Sequence, residues 1–94
     1  MHPKLVDQYR CQLNIQNTRI SLTGPSRADI EIMARNLITG KGGTIRTEEV
    51  QGTTLFFLSS YKQGNEPVGW ISSERVPASL SIEHWQKNVE AVAA

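Results

Sequence analysis

Apolar and polar residues alternate strictly from position 8 to position 16 of the chain. A period of two is typical of a strand with one buried face and one face in solvent. The alternation resumes over residues 19–23, after a turn expected at Asn17-Thr18, so the two segments predict a β-hairpin. The apolar side of the first strand consists of Tyr9, Cys11, Leu13 and Ile15.

A helical period replaces this alternation after Gly24-Pro25. Ser26 stands where a helix N-cap belongs, and Asp29 follows three residues later, a spacing typical of a capping box. Gly40 is placed as the C-terminal stop. The sequence therefore predicts a helix that begins at Arg27 and ends just before Gly40. Its apolar face consists of Ile30, Met33, Ala34, Leu37 and Ile38.

Two more strands are predicted after the helix. Residues 44–50 form a weaker strand candidate, Gln51-Gly52 indicates a turn, and residues 53–61 are the most apolar stretch of the chain. Because residues 55–58 are consecutively apolar, this strand is expected to be central and covered on both faces. Residues 62–67 have loop composition, and residues 68–72 predict a further short strand at an edge of the sheet.

The last part of the chain repeats apolar residues at helical spacing. Ser81 is a candidate N-cap, Leu80 and Trp85 are spaced as a hydrophobic staple, and Glu83 suits the positive end of a helix dipole. This pattern predicts a second helix with Trp85 in the core. The residues on its apolar face are Ile82, Trp85, Val89 and Val92.

Together these elements predict the fold class α+β. The expected architecture is one two-layer domain over residues 1–94, with an antiparallel sheet of 4-5 strands and two helices gathered on one face. The order of elements is β-β-α-β-β-(β)-α. Residues 1–7 and 93–94 are expected to be loose ends. A chain of 94 residues is long enough for one such domain.

Charge and cysteine content limit the classes of partner and the cellular compartment that the sequence favours. The net charge is +1, but residues 8–47 carry six basic and two acidic side chains, while residues 48–94 carry three basic and six acidic ones. Such asymmetry can mark a face for an anionic partner, unless the two halves interleave in space. No apolar run approaches the roughly 20 residues that span a bilayer, and no signal peptide is visible. With a single cysteine, these features favour a cytoplasmic protein without a membrane partner.

No catalytic or metal-binding pattern is found in the sequence, so no catalytic residue, metal or cofactor is predicted. His2 and His84 lie at opposite ends of the chain and have no ligand at metal-binding spacing. Cys11 belongs to the apolar side of its strand and is expected in the core. Glu48 and Glu49 are adjacent in a strand, so they point to opposite faces and are poorly placed for shared acid–base chemistry.

Two segments suggest anion binding only faintly. Gly40-Lys41-Gly42-Gly43-Thr44 follows a helix and has Lys41 before a glycine, whereas a P-loop opens a helix and has Ser or Thr after its lysine. Helix termination explains these glycines better. The helix N-terminus at Ser26 and Arg27 offers unpaired N–H groups, but capping explains Ser26, and Asp29 would repel an anion.

Trp70 and the polar side of the first hairpin are the candidate binding residues. Trp70 is either an anchor at an interface, where Trp and Arg are enriched, or a core residue beneath the 62–67 loop. The hairpin carries Arg10 and Arg19 among amides, on a side without carboxylates. The predicted protein-binding residues are Trp70, Arg75, Arg10 and Arg19.

The sequence therefore favours a small non-enzymatic protein-interaction module, such as a regulator, an inhibitor or an accessory subunit. The alternative is a nucleic-acid-binding domain that uses Arg10, Arg19, Lys41 and Arg46. The low net charge and the absence of stacking aromatics from the polar side count against that alternative. An enzyme whose site is completed by another subunit ranks third. A homodimer formed through an open sheet edge is a further possibility.

Overall fold

A computed structural model describes residues 4–40, 42–82 and 84–91 of the chain. They form a six-stranded antiparallel sheet with the strand order β3-β4-β5-β1-β2-β6. The strands are β1 (Leu5–Ile15), β2 (Thr18–Gly24), β3 (Ile45–Val50), β4 (Thr53–Leu58), β5 (Pro67–Pro77) and β6 (Gln86–Ala91). One α-helix, α1 (Arg27–Thr39), and two 3-10 turns, Lys62–Gly64 and Ala78–Leu80, complete the described structure.

The first hairpin confirms the alternating pattern. Gln16 and Asn17 have φ of 50° and 62°, so both take the left-handed conformation that a tight hairpin turn requires. The turn therefore lies one residue earlier than expected. Cys11 pairs with Leu22, and Leu13 pairs with Ile20. The apolar residues of both strands therefore lie on one face of the hairpin.

The predicted helix is confirmed. The Ser26 hydroxyl accepts a hydrogen bond from the Asp29 N–H at 3.4 Å, and the helix ends at Gly40. α1 packs across β1 and β2. The side chains of Ile30, Ala34 and Ile38 are fully buried against the sheet and form the centre of the core. This side of the sheet is called the helix face below.

The second hairpin, β3–β4, also forms where the sequence predicts it, with its turn at Gln51 and Gly52. β4 is an interior strand, between β3 and β5. Phe56 is fully buried on the helix face. Phe57 is 7% exposed and lies outside the core cluster beneath α1, where the Arg46 guanidinium lies over its ring and Gln63, Gly64 and Asn65 line the same depression.

The expected short edge strand at residues 68–72 is wrong in length and in place. β5 spans Pro67–Pro77 and lies between β4 and β1, near the middle of the sheet. Residues 5–7, expected to be a loose end, are the start of β1 and pair with the far end of β5, where Leu5 lies opposite Pro77. β1 and β5 pair with each other along most of their length, whereas their other neighbours, β2 and β4, are shorter strands. Residues 1–3, 93 and 94 lie outside the described residues.

The second helix is also wrong. Ala78–Leu80 is a single 3-10 turn, and Gln86–Ala91 is a strand that pairs with the edge of β2. A separation of four residues, as between Trp85 and Val89, puts side chains on one face of a helix and equally on one face of a strand. The open edge of β2 decides between them, since it supplies backbone partners that an isolated short helix lacks. Trp85, expected in the core, is 50% exposed.

The predicted fold class is therefore corrected. The described chain is mostly sheet, with six strands and one α-helix instead of 4-5 strands and two helices. Its one α-helix is neither long enough nor apolar enough to cross a lipid bilayer.

Candidate functional site

The two faces of the sheet differ in what covers them. α1 lies on the helix face, and among the described residues no α-helix packs on the other side, which is called the open face below. Cross-strand partners share a face, so the register assigns the open-face residues of each strand. They are Val6, Gln8, Arg10, Gln12 and Asn14 of β1, Arg19, Ser21 and Thr23 of β2, Arg46, Glu48 and Val50 of β3, Thr53, Leu55 and Phe57 of β4, Trp70, Ser72, Glu74 and Val76 of β5, and Gln86, Asn88 and Glu90 of β6.

Trp70 lies on the open face, in the third strand from one edge of the sheet. Leu55 of β4 lies directly opposite it on one side and Gln12 of β1 on the other, and all three side chains are half-buried. Trp70 is therefore separated by the sheet from the core beneath α1. Trp70 does not belong to the core cluster beneath α1, and its role as an interface anchor stays a prediction.

The structure brings Arg10 and Arg19 to the same face as Trp70 but separates Arg75 from them. Arg10 forms an ion pair of 3.8 Å with Glu74, two residues along the neighbouring strand. Arg75 lies opposite Asp7 on the helix face, near the end of β5, and its Nε is 3.5 Å from the Asp7 carboxylate. Of the four predicted protein-binding residues, three therefore share one surface.

The charge asymmetry of the sequence disappears in space. Arg19 lies directly opposite Glu90 of β6, so a basic residue from the first half of the chain meets an acidic one from the second. On the helix face, Arg27 lies 3.3 Å from Glu49. Because the basic and acidic halves interleave in the sheet, the described part of the chain presents its arginines beside carboxylates. The ion pairs are Arg10–Glu74, Arg27–Glu49, Arg35–Glu31, Arg46–Glu48 and Arg75–Asp7.

Arg46, a residue of the nucleic-acid alternative, is engaged on three sides. Its guanidinium pairs with Glu48, donates a hydrogen bond of 3.1 Å to the Gly64 carbonyl, and lies 4.2 Å from the centre of the Phe57 ring. The Arg46 side chain therefore covers the Phe57 ring near this edge of the sheet. Lys41, the other loop residue of that alternative, lies outside the described residues.

Sequence reasoning missed Leu55 and Gln12 as the neighbours of Trp70. The run of apolar residues at 55–58 indicated that β4 buries side chains on both faces. The long β1–β5 pairing that places Gln12 beside Trp70 has no local sequence signal, since it joins residues far apart in the chain.

The remaining motifs have structural roles. Ser26 caps α1, as described above, and Gly43 approaches Ser59 and Ser60 so closely that a Cβ at position 43 would lie 2.9 Å from the Ser59 hydroxyl. Glu48 and Glu49 each pair with a different arginine on opposite faces of the sheet. Across the described residues, no group of three or more His, Cys, Asp or Glu side chains is placed to hold a metal ion.

Cys11 is a core residue, as the sequence predicted. It is 2% exposed, and burial raises the pKa of its thiol to about 12. We expect the folded protein to react with iodoacetamide at pH 8 at least about a hundredfold more slowly than the protein in denaturant, because the thiolate is the reactive form. Mass spectrometry of timed samples measures both rates. Equal rates would place the thiol at the surface.

Comparison with models of protein families, with curated proteins and with solved structures found no match to this chain. Function is therefore inferred from the geometry of the open face.

Proposed function

We propose that this chain is a non-enzymatic protein-interaction module, acting as a regulator, an inhibitor or an accessory subunit, that binds a protein partner through its open face. The observation that supports this proposal is the position of Trp70, half-buried within a sheet face on which no described α-helix packs. Large, rigid aromatic side chains near the centre of a surface are the residues that most often dominate protein–protein binding energy.

The surroundings of Trp70 suit a protein surface. Leu55 extends the apolar area on one side, Gln12 lies on the other, and Ser72 lies two residues along β5; Gln12 and Ser72 offer groups that both donate and accept hydrogen bonds. The charged pair Arg10–Glu74 lies further out along the strands. A small apolar centre within a polar surround is the usual anatomy of a protein interface.

The nucleic-acid alternative has weaker support. Phosphate binding depends on uncompensated positive charge, whereas the described arginines of the open face each lie beside a carboxylate. Single-stranded nucleic acid is bound by several aromatic platforms, and on the open face Trp70 has a leucine and a glutamine as its strand neighbours. A protein partner is therefore the favoured occupant.

The test compares two tryptophans on opposite faces. We expect Trp70→Ala to weaken partner binding by about thirtyfold or more, which corresponds to loss of a hot-spot residue. Its melting temperature should change by only a few degrees, since Trp70 lies outside the core beneath α1. Trp85→Ala is the matched control, because Trp85 is exposed beside α1 on the other side of the sheet and should leave the affinity of a single open face for its partner unchanged. Affinity capture from lysate of the source cells, with and without nuclease, identifies the partner, and titration calorimetry measures the affinity.

Each outcome has a distinct meaning. A nuclease-resistant partner lost in Trp70→Ala and kept in Trp85→Ala supports the proposal. Equal binding by Trp70→Ala and the unchanged chain overturns the open face as the interface. Recovery of nucleic acid, with partners lost after nuclease and affinity falling steeply with salt, would replace the protein-binding proposal with the nucleic-acid one.

We also propose a cytoplasmic location and self-association through an open sheet edge. The location is supported by Cys11, a buried free thiol that needs no oxidising compartment. Self-association is supported by the strand order, which leaves β3 and β6 at the two edges of the described sheet.

A further inference from the structure

Both edge strands carry charged side chains, three on β3 and two on β6, but only β6 is flanked by the exposed apolar group of Trp85, Val89 and Ile32. β3 carries charges on both faces, with Arg46 and Glu48 on the open face and Glu49 on the helix face. Charged side chains are a common means of blocking an edge. β6 pairs only with β2 among the described residues, and its six side chains are all exposed. It contains no proline and carries one charge on each face, Lys87 and Glu90.

We propose that two copies of this chain associate through β6, which pairs antiparallel with β6 of the second copy about a two-fold axis at Asn88. The two sheets then form one continuous sheet of twelve strands. The proposal specifies the edge and the register of the self-association proposed above, and it does not depend on the partner bound by the open face.

Symmetry restricts the register. Residues opposite each other in an antiparallel pair share a face. A two-fold axis perpendicular to the sheet must therefore lie between one residue of the strand and the same residue of the second copy. An axis at Lys87 would put two lysines opposite each other, and an axis at Glu90 would do the same with two glutamates. Like charges directly opposite each other destabilise a pair of strands. An axis at Val89 would put Lys87 opposite Ala91 and Asn88 opposite Glu90, and the cross-linking experiment distinguishes this register from the axis at Asn88.

An axis at Asn88 pairs every residue from 85 to 91 with a compatible one. On the open face, the Asn88 amides meet each other and the Gln86 amide can donate to the Glu90 carboxylate of the second copy. On the helix face, Lys87 lies opposite Val89 and Trp85 lies opposite Ala91. The strand is therefore complementary to itself in charge and in hydrogen-bonding capacity.

The helix face beside β6 supplies apolar area to bury. Trp85 and Val89 are 50% and 59% exposed, and Ile32 of α1 is 58% exposed and lines the same shallow depression as Trp85. In the proposed pairing, Ala91 and Val89 of the second copy come next to these side chains. Grouped apolar side chains at the surface often mark an interaction site.

Trp85 is also held in place rather than loose. A Cβ at position 24 would lie 2.9 Å from the Trp85 Cβ and 3.1 Å from its Cα, so glycine at position 24 permits the chain to pass close to the end of β2. The backbone leading into β6 is thereby fixed against the sheet. The indole is presented to solvent from a defined position beside the edge strand.

Cysteine cross-linking tests the axis directly. Residues opposite each other across an antiparallel pair have Cβ atoms about 4.5–5.5 Å apart, close to disulfide range. We expect Asn88→Cys to form a disulfide-linked dimer under mild oxidation, as seen on a non-reducing gel. Thr47→Cys, at the middle of the other edge, is the matched control and should stay monomeric. Faster cross-linking by Val89→Cys or Thr47→Cys than by Asn88→Cys would overturn the proposed axis.

Sedimentation equilibrium of the unmodified protein gives a second, independent test. We expect the dimer dissociation constant to rise by about fivefold or more in Asn88→Lys, because two lysines would meet at the axis. Ser21→Lys lies in the same row of the open face, one strand inward, and should leave the constant unchanged. A single species at the monomer mass of 10.5 kDa up to millimolar concentration would overturn the proposal. A monomer that still loses its partner in Trp70→Ala would leave the proposed function intact.

Discussion

Replacement of Gly69 by alanine is expected to destabilise the protein more than any other single methyl group added to the sheet. Gly69 is buried in β5 and lies between Leu13 of β1 and Phe56 of β4. A Cβ at this position would lie 2.5 Å from the Leu13 Cδ2 and 3.0 Å from its Cα, and would also meet the Gln12 carbonyl. Two of these three atoms belong to the β1 backbone, so a change of rotamer cannot relieve the overlap.

We therefore expect Gly69→Ala to lower the free energy of unfolding by about 3 kcal/mol, at the upper end of the usual cost of overpacking. For a domain of this size, that corresponds to a fall in melting temperature of roughly 12–24 °C. Thermal unfolding followed by circular dichroism measures it. The β1–β5 pairing also holds Trp70 beside Gln12, so we expect partner binding to weaken as well.

Gly40→Ala is the matched control for that measurement. Gly40 ends α1 with φ of −61°, and the atoms nearest to an added Cβ are 3.7 Å away, an ordinary contact distance. Alanine at such a position is tolerated or slightly stabilising. If both variants unfolded at the same temperature as the unchanged chain, the close approach of β5 to β1 would be wrong.

The elements that the sequence predicted correctly have local signals. The β1–β2 hairpin follows from alternation and a turn, and α1 follows from Ser26, the helical spacing and Gly40. The contribution of β5 was missed because it is defined by pairing with β1, far away in the chain, and because its second half is polar. The sequence places Gly69 in the predicted strand at residues 68–72, but its need for a missing side chain arises from β1, which the sequence does not place beside it.

The candidate site shows the same division. Trp70 was singled out by residue type, and Arg10 and Arg19 by their positions in an alternating strand. The compensation of their charges by Glu74 and Glu90 depends on which strands are neighbours, and that order is not encoded locally. The segment that forms β6 was wrongly predicted as a helix, because a spacing of four residues fits the period of a helix and that of a strand. It forms a strand because it pairs with the open edge of β2, which the sequence does not reveal.

The proposed dimer would place two open faces side by side. Trp70 lies in β5, three strands from β6, so seven strand spacings separate it from Trp70 of the second copy. At about 4.8 Å for each spacing, the two indoles would be about 34 Å apart across the joined sheet. A partner with two suitable sites would be bound with higher effective affinity than one with a single site.

The adjacent residues Phe56 and Phe57 are expected to differ strongly when each is replaced by alanine. Phe56 is fully buried beneath α1, and Phe56→Ala should lower the free energy of unfolding by about 3–5 kcal/mol through lost burial and an unfilled cavity. Phe57 is on the open face, covered by the side chain of Arg46. Phe57 is only 7% exposed, but the flexible Arg46 side chain and the 63–65 segment can close on the vacated space, so Phe57→Ala should cost about 2 kcal/mol.

Urea unfolding of both variants measures the difference, and Arg46→Ala provides the control. Removing the Arg46 guanidinium exposes the Phe57 ring, so it should cost about 0.5–1 kcal/mol when Phe57 is present and less in the Phe57→Ala background. Equal costs for Phe56→Ala and Phe57→Ala would mean that the open face carries a second core. In that case the sheet would be covered on both sides, as the apolar run at 55–58 suggested, and Trp70 would belong to that core instead of to an interface.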